Sequence, residues 1–92
     1  MSHQVEISGA LTLDGASAVL QSGHVALAAA PAGEVVFDLS GVSGVDSAGL
    51  AVVFAWLREA RAAGRTLNLS KIPAQLQSLA AVYGVGDLLP VL

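Results

Sequence analysis

Cysteine is absent, so the chain has no disulfide, no thiolate metal ligand and no cysteine nucleophile. Basic residues are scarce: four Lys/Arg, not clustered, in a chain of formal net charge -3. That balance argues against a phosphate-backbone binder, so no nucleic-acid partner is expected. Charged residues make up only 12% of the chain, well below the usual quarter or so. His3 and His24 lie far apart and have no companion ligands, so neither a metal nor any other cofactor is expected. Long hydrophobic runs are also missing. The longest, residues 48–57, is about half of the roughly 20 residues needed to span a bilayer. The start, Met1-Ser2-His3-Gln4, lacks the basic opening and apolar core of a signal peptide. The expectation is a cytoplasmic domain with no direct membrane insertion.

What the chain does have is apolar side chains: 54% of 92 residues, many of them Ala. This length reads as one domain, residues 1–92. So short a chain buries only about 60–65% of its unfolded surface, so a share of its apolar side chains must remain outside. Exposed apolar surface of that kind usually marks a partner site.

In chain order, Val5-Glu6-Ile7-Ser8 alternates apolar and polar and reads as a half-buried strand broken by Gly9. Asp14 is a candidate cap for a helix over about 15–30, with Val19, Leu20, Gly23, Leu27 and Ala30 at helical spacing and Pro31-Ala32-Gly33 as its stop. Residues 34–40 form a second strand, with Val35, Phe37 and Leu39 on one side and Asp38 and Ser40 on the other. Val36 breaks that alternation, as a central strand would. A second helix spans about 47–63 and is closed by Gly64. Residues 66–70 alternate again. Pro73 then opens a third helix that runs to Tyr83 and is closed by Gly84. Residues 87–92 read as a short tail returning to the core. A β-α-β-α-β-α order with right-handed crossovers predicts helices mainly on one face of the sheet and water on the other.

The chain is organised around residues 35–50: a buried strand, a Gly/Ser loop over 40–46, and a helix start carrying Asp46 and Ser47. With Leu50 set at zero and about 100° per residue, Leu50, Val53, Phe54, Leu57 and Ala60 share one arc, which we assign to the core. The opposite arc holds Ala48, Ala51, Val52, Ala55, Trp56 and Glu59, with a single charge. That face needs cover, either from the first helix or from a partner. The expectation is a partner surface centred on Val52 and Trp56, because Trp is a frequent interface anchor.

Catalytic readings fail on residue content. Gly44 and Gly49 have the glycine spacing of a P-loop, but Leu50 and Ala51 stand where Lys and Ser/Thr are required. No Ser has the flanking glycines of a hydrolase elbow. Asp38 and Asp46 could form an acid pair, but no base, nucleophile or pocket accompanies them, so no enzyme is expected.

Around the same loop, Asp38-Leu39-Ser40-Gly41-Val42 followed by Val45-Asp46-Ser47-Ala48-Gly49-Leu50 and an apolar helix resembles the STAS domain family. That family is shared by anti-sigma factor antagonists and the cytoplasmic tails of sulfate transporters. The likeness is strongest to its MlaB-type members, the small STAS subunits of bacterial Mla phospholipid-transport ABC complexes. It extends to the ending Leu79-Ala80-Ala81-Val82-Tyr83 and then Leu88-Leu89-Pro90. The resemblance implies an α/β STAS fold: a mixed, mostly parallel sheet of about four strands with helices mainly on one face. It also implies a non-enzymatic regulatory or assembly subunit that binds the cytoplasmic ATPase of an Mla-type transporter at the inner face of the inner membrane. Its role would be phospholipid trafficking and outer-membrane lipid asymmetry. By resemblance, Ser47 and Tyr83 lie at that contact. With the face reading above, the expected partner-binding set is Asp46, Ser47, Ala48, Ala51, Val52, Trp56 and Tyr83. Two departures stand out. The position phosphorylated in anti-sigma factor antagonists is Ala48 here, so a phospho-switch would have to use Ser47. The family also normally has one more strand before the Val5 strand, so that sheet edge is expected to be open or paired elsewhere. The alternative function is an antagonist-type signalling switch that binds an anti-sigma kinase.

Overall fold

The computed structural model describes residues 3–31 and 33–92; Met1, Ser2 and Ala32, the last within the expected helix stop, lie outside the described residues. The order is β1 (His3–Leu11), α1 (Ala16–Ala29), β2 (Glu34–Val45), α2 (Ser47–Ala62), β3 (Thr66–Ser70) and α3 (Ala74–Val82), followed by a 3-10 turn at Gly86–Leu88. Among the described residues the sheet has three strands in the order β1-β2-β3, and both pairings are parallel. The C-terminal tail adds a single parallel bridge, Val91 to Leu69, on the free side of β3. The outer edge of β1 has no strand partner among the described residues.

Alternation along the strands sorts side chains between two faces. Ile7, Leu11, Val35, Phe37, Leu39, Leu67 and Leu69 join one core with Val19 and Leu27 of α1, Val53 and Ala60 of α2, and Leu76 and Ala80 of α3. Gln4, Glu6 and Ser8 are exposed on the other face, with Asp38 and Asn68 half-buried beside them. Parallel crossovers of one hand give this one-sided arrangement. Val36 is buried yet lies outside that core. It sits on the central strand, in register with Gln4 and Asn68, so its neighbours on the open face shield it.

Two local expectations are corrected. The Gly/Ser loop over 40–46 is mostly strand. Through Val45, β2 pairs with Ser8, Gly9, Ala10 and Leu11 across two register irregularities. Gly9, at φ +109°, and Gly41 permit it: a Cβ on Gly41 would lie 3.1 Å from the Ile7 carbonyl oxygen. Asp14 is not the cap of α1. Gly15 holds that position without a side-chain hydrogen bond, and its own Cβ-free backbone packs against Ala10.

Candidate functional site at the start of the second helix

The carboxyl ends of parallel strands, where the chain turns into helices, are the usual site-bearing edge of an α/β sheet. Here Asp46 follows β2 directly and caps α2. Its Oδ1 accepts from the Ala48 N–H at 2.8 Å and the Gly49 N–H at 3.4 Å. Its Oδ2 accepts from the Leu13 N–H at 3.0 Å, and its own N–H donates to the Leu11 carbonyl at 2.9 Å. One side chain thus ties the β1–α1 turn to the start of α2. The Leu13 N–H, joined by those of Ala48 and Gly49, holds the carboxyl below the usual aspartate range against the opposing effect of desolvation. Gly49 lets α2 approach this closely, since a Cβ there would fall 2.1 Å from the Leu11 carbonyl oxygen.

These bonds also bear on chemistry. The helix N–H groups that would cradle an anion are already taken by Asp46. Asp38, half-buried beside the open sheet face, has its own partners: the Ser40 N–H at 2.8 Å, and Lys71 with its Nζ 3.6 Å away. Hydrogen bonding from Ser40, then the Lys71 charge, also lowers its pKa, against some desolvation. Neither carboxyl holds a proton near neutrality, so the pair does not work as a general acid. Among the described residues no three His, Asp or Glu side chains converge as a metal site. His24 instead meets Glu59 across α1 and α2, its Nδ1 2.7 and 2.8 Å from the two carboxylate oxygens. That pair lies about 18 Å along α2 from Ser47, at about 1.5 Å per residue.

The largest correction concerns which face of α2 points outward. Trp56 is 0% exposed and Val52 is 5% exposed, so neither can be a docking residue of the folded chain. The buried stripe runs through Gly49, Val52, Val53, Trp56 and Ala60. Of the arc first assigned to the core, Leu50, Val53 and Ala60 are buried, while Phe54 and Leu57 are only half-buried. The cause is α1. Its Gly23 leaves a notch filled by the indole of Trp56, and the Trp56 Nε1–H donates to the Leu20 carbonyl at 3.2 Å. The indole also meets Phe37 edge-on, with ring centroids 5.2 Å apart. The second apolar face of α2 is covered from within the chain.

What remains outside is a narrower stripe. Ser47, Ala51 and Arg58 are exposed, with Phe54 half-buried between them. At about 100° per residue all four fall within about 60° of arc. Beside them, at the end of α3, Tyr83 is 58% exposed and Val82 80% exposed. A shallow apolar groove joins the two helices, lined by Ser47, Leu50, Ala51, Phe54, Tyr83 and Val85. On its other flank Val82 borders a second groove with Val45, Asp46, Ala74, Gln75, Ser78 and Leu79. Of the expected partner set, then, Ser47, Ala51 and Tyr83 come together on one surface. Asp46 and Ala48 are half-buried beneath it as its support, and Val52 and Trp56 belong to the interior.

Sequence reasoning did not mark Val82 or Leu13 as surface-site residues, and it assigned the half-buried Phe54 to the core. Leu13 is 78% exposed and is held beside the start of α2 by Asp46. Its lone apolar character between Thr12 and Asp14 in a turn is the signal that could have marked it.

A family model described as "Mlab, STAS domain" matches residues 2–90. Among solved structures, the chain is similar to a sulfate transporter family protein from Wolinella succinogenes: TM-score 0.72, 18% identity, covering 98% of this chain and 75% of that one. It is also similar to the anti-sigma factor antagonist SpoIIAA in its unphosphorylated form: TM-score 0.68, 15% identity, covering 99% of this chain and 79% of that one. At such identities these two likenesses establish the fold alone. A search of curated proteins finds no match.

Proposed function

We propose that this chain, which belongs to the MlaB-type STAS domain family, is a non-enzymatic subunit that docks on the cytoplasmic ATPase of an Mla-type ABC transporter. It supports that ATPase's assembly and activity in phospholipid trafficking. The observation that carries this reading is the meeting of Ser47, Ala51 and Tyr83 on one exposed groove between α2 and α3. These elements are distant in sequence, and Asp46 fixes the helix start beneath them through three backbone N–H groups. An exposed aromatic next to small side chains suits a partner's protruding helix or loop, because the small residues admit close approach and the ring supplies contact area. Among the described residues no helix is long and apolar enough to cross a membrane, so attachment to the membrane would come through the transporter.

The test is co-purification with the candidate ATPase, with ATP hydrolysis measured before and after mixing. Tyr83→Ala and Ser47→Arg are expected to abolish co-elution while leaving the thermal transition in place, since both side chains are exposed. A wild-type chain that neither co-elutes nor alters hydrolysis would refute the reading.

A signalling switch is the competing reading, favoured by the exposure of Ser47 beside the Asp46 carboxylate. A phosphate there would add about two negative charges next to an existing one and oppose docking. Ala48 offers no hydroxyl at the position antagonists use, which weighs against it. Phosphate found on Ser47 in cells would favour the switch.

A further inference from the structure

The cations of this chain are unevenly used. Arg65 donates to the carbonyls of Ala30 and Pro31 at the end of α1, and Lys71 sits beside Asp38. Arg58 and Arg61 are both exposed on α2, and among the described residues neither takes part in an ion pair. Arg58 lies on the outward stripe, one turn beyond Phe54 and in line with Ser47 and Ala51. Arg61 follows three residues later on the same side, so the two like charges are neighbours that repel. The adjacent carboxylate, Glu59, turns the other way to His24, and Asp87 is exposed on the 3-10 turn without pairing to either Arg. An acidic chain, of net charge -3, therefore shows a positive end on the exposed stripe of α2. Arg61, in the last turn of α2, also complements the helix dipole. Arg58 has no such role.

We propose that the ATPase surface received by this stripe is acidic, with a carboxylate group seated against Arg58 and shared with Arg61, while Ser47, Ala51 and Tyr83 take the apolar end of the contact. The proposal rests on the docking reading above and adds the partner's chemistry to it. A guanidinium accepts a carboxylate in a two-bonded fork, which gives the contact a fixed orientation as well as attraction. An anionic lipid surface is the other source of negative charge. Recognition of that kind uses clusters of about 4–8 basic residues, whereas this stripe carries two on an acidic body.

The experiment measures the affinity of the full chain for its ATPase subunit at about 50 mM and about 300 mM salt, where screening differs strongly. Wild type is compared with Arg58→Glu, Arg58→Ala, Arg61→Glu, Tyr83→Ala and, as a charge control on the exposed side of α1, Ala28→Glu. Circular dichroism confirms the fold of each. Arg58→Glu is expected to weaken binding by about tenfold or more and to flatten its salt dependence, with Arg58→Ala intermediate and Ala28→Glu close to wild type. If Tyr83→Ala fails to bind while Arg58→Glu binds like wild type at both salts, docking stands and the acidic partner surface is refuted. If wild type itself does not bind, the docking reading falls and this proposal with it. Arg58-dependent sedimentation with phosphatidylglycerol vesicles in the absence of the ATPase would overturn it in favour of lipid.

Discussion

Replacing Gly23 with Ala tests whether α1 and α2 are locked by the indole of Trp56. A Cβ at Gly23 would lie 2.1 Å from Trp56 Nε1, 2.3 Å from its Cε2 and 2.8 Å from its Cδ1. Ordinary contact needs about 3.5–4 Å, so the ring would have to retreat by roughly 1.5 Å. It has little room to move, being fully buried and already in edge-on contact with the equally buried Phe37. Overpacking of this kind costs about 1–3 kcal/mol. Losing the indole bond to the Leu20 carbonyl, 3.2 Å long, adds about 1 kcal/mol. Against these stands the gain of about 1 kcal/mol that Ala brings to a helix interior over Gly. The net expectation is destabilisation by about 1–3 kcal/mol, or a fall in Tm of roughly 5–20 °C for a domain of this size. Urea and thermal unfolding followed by circular dichroism measure it. Trp56 is the only tryptophan, so its fluorescence reports this one contact in variants that retain it. In a Trp56→Phe background the smaller ring frees the notch, and Gly23→Ala should become neutral or stabilising. The double-mutant comparison isolates the coupling. A Gly23→Ala variant more stable than wild type, or equally costly in both backgrounds, would refute this packing.

Gly49→Ala should destabilise by about 3 kcal/mol or more, because its Cβ would meet the Leu11 backbone, which cannot swing aside; the urea midpoint decides it. The Leu13 N–H and the helix-start N–H groups hold the folded Asp46 carboxyl below the usual aspartate range, so the stability it contributes is present above about pH 4 and is lost as pH falls through the lower folded value. Asp46→Asn keeps a capping oxygen and should flatten the acid limb of the stability curve; Asp46→Ala should also lower Tm at neutral pH, because it frees the Leu13, Ala48 and Gly49 N–H groups. Tyr83→Ala and Ser47→Arg should leave Tm near wild type and remove ATPase binding, which calorimetry and co-elution read separately.

Much of the architecture was legible in the residues themselves. The run 66–70 is a strand at the expected limits, and Asp46 caps α2 as its type and place foretold. Local chemistry settles such features: alternation over a few residues, or a carboxylate at a helix start. The far end of β2 was not legible. Gly41, Ser43 and Gly44 read as loop by composition, and only pairing with β1 makes them strand. Nor does sequence alone say which surface Tyr83 shares with Ser47 and Ala51, since that depends on how α3 lies beside α2.

The outward face of α2 marks the boundary between the two kinds of knowledge. The sequence determined that the helix is apolar nearly all round, that it starts at Asp46 and that one face needs cover. It could not orient the helix, because a periodic pattern locates a buried stripe only where polar residues bound it. The notch at Gly23 decided the matter: it admits Trp56, so α1 covers the flank holding Val52 and Trp56 and leaves Ser47, Ala51 and Arg58 facing out. That is a fit between two helix surfaces 33 residues apart in the chain, and such a fit exists only once both helices are seated on the same sheet face.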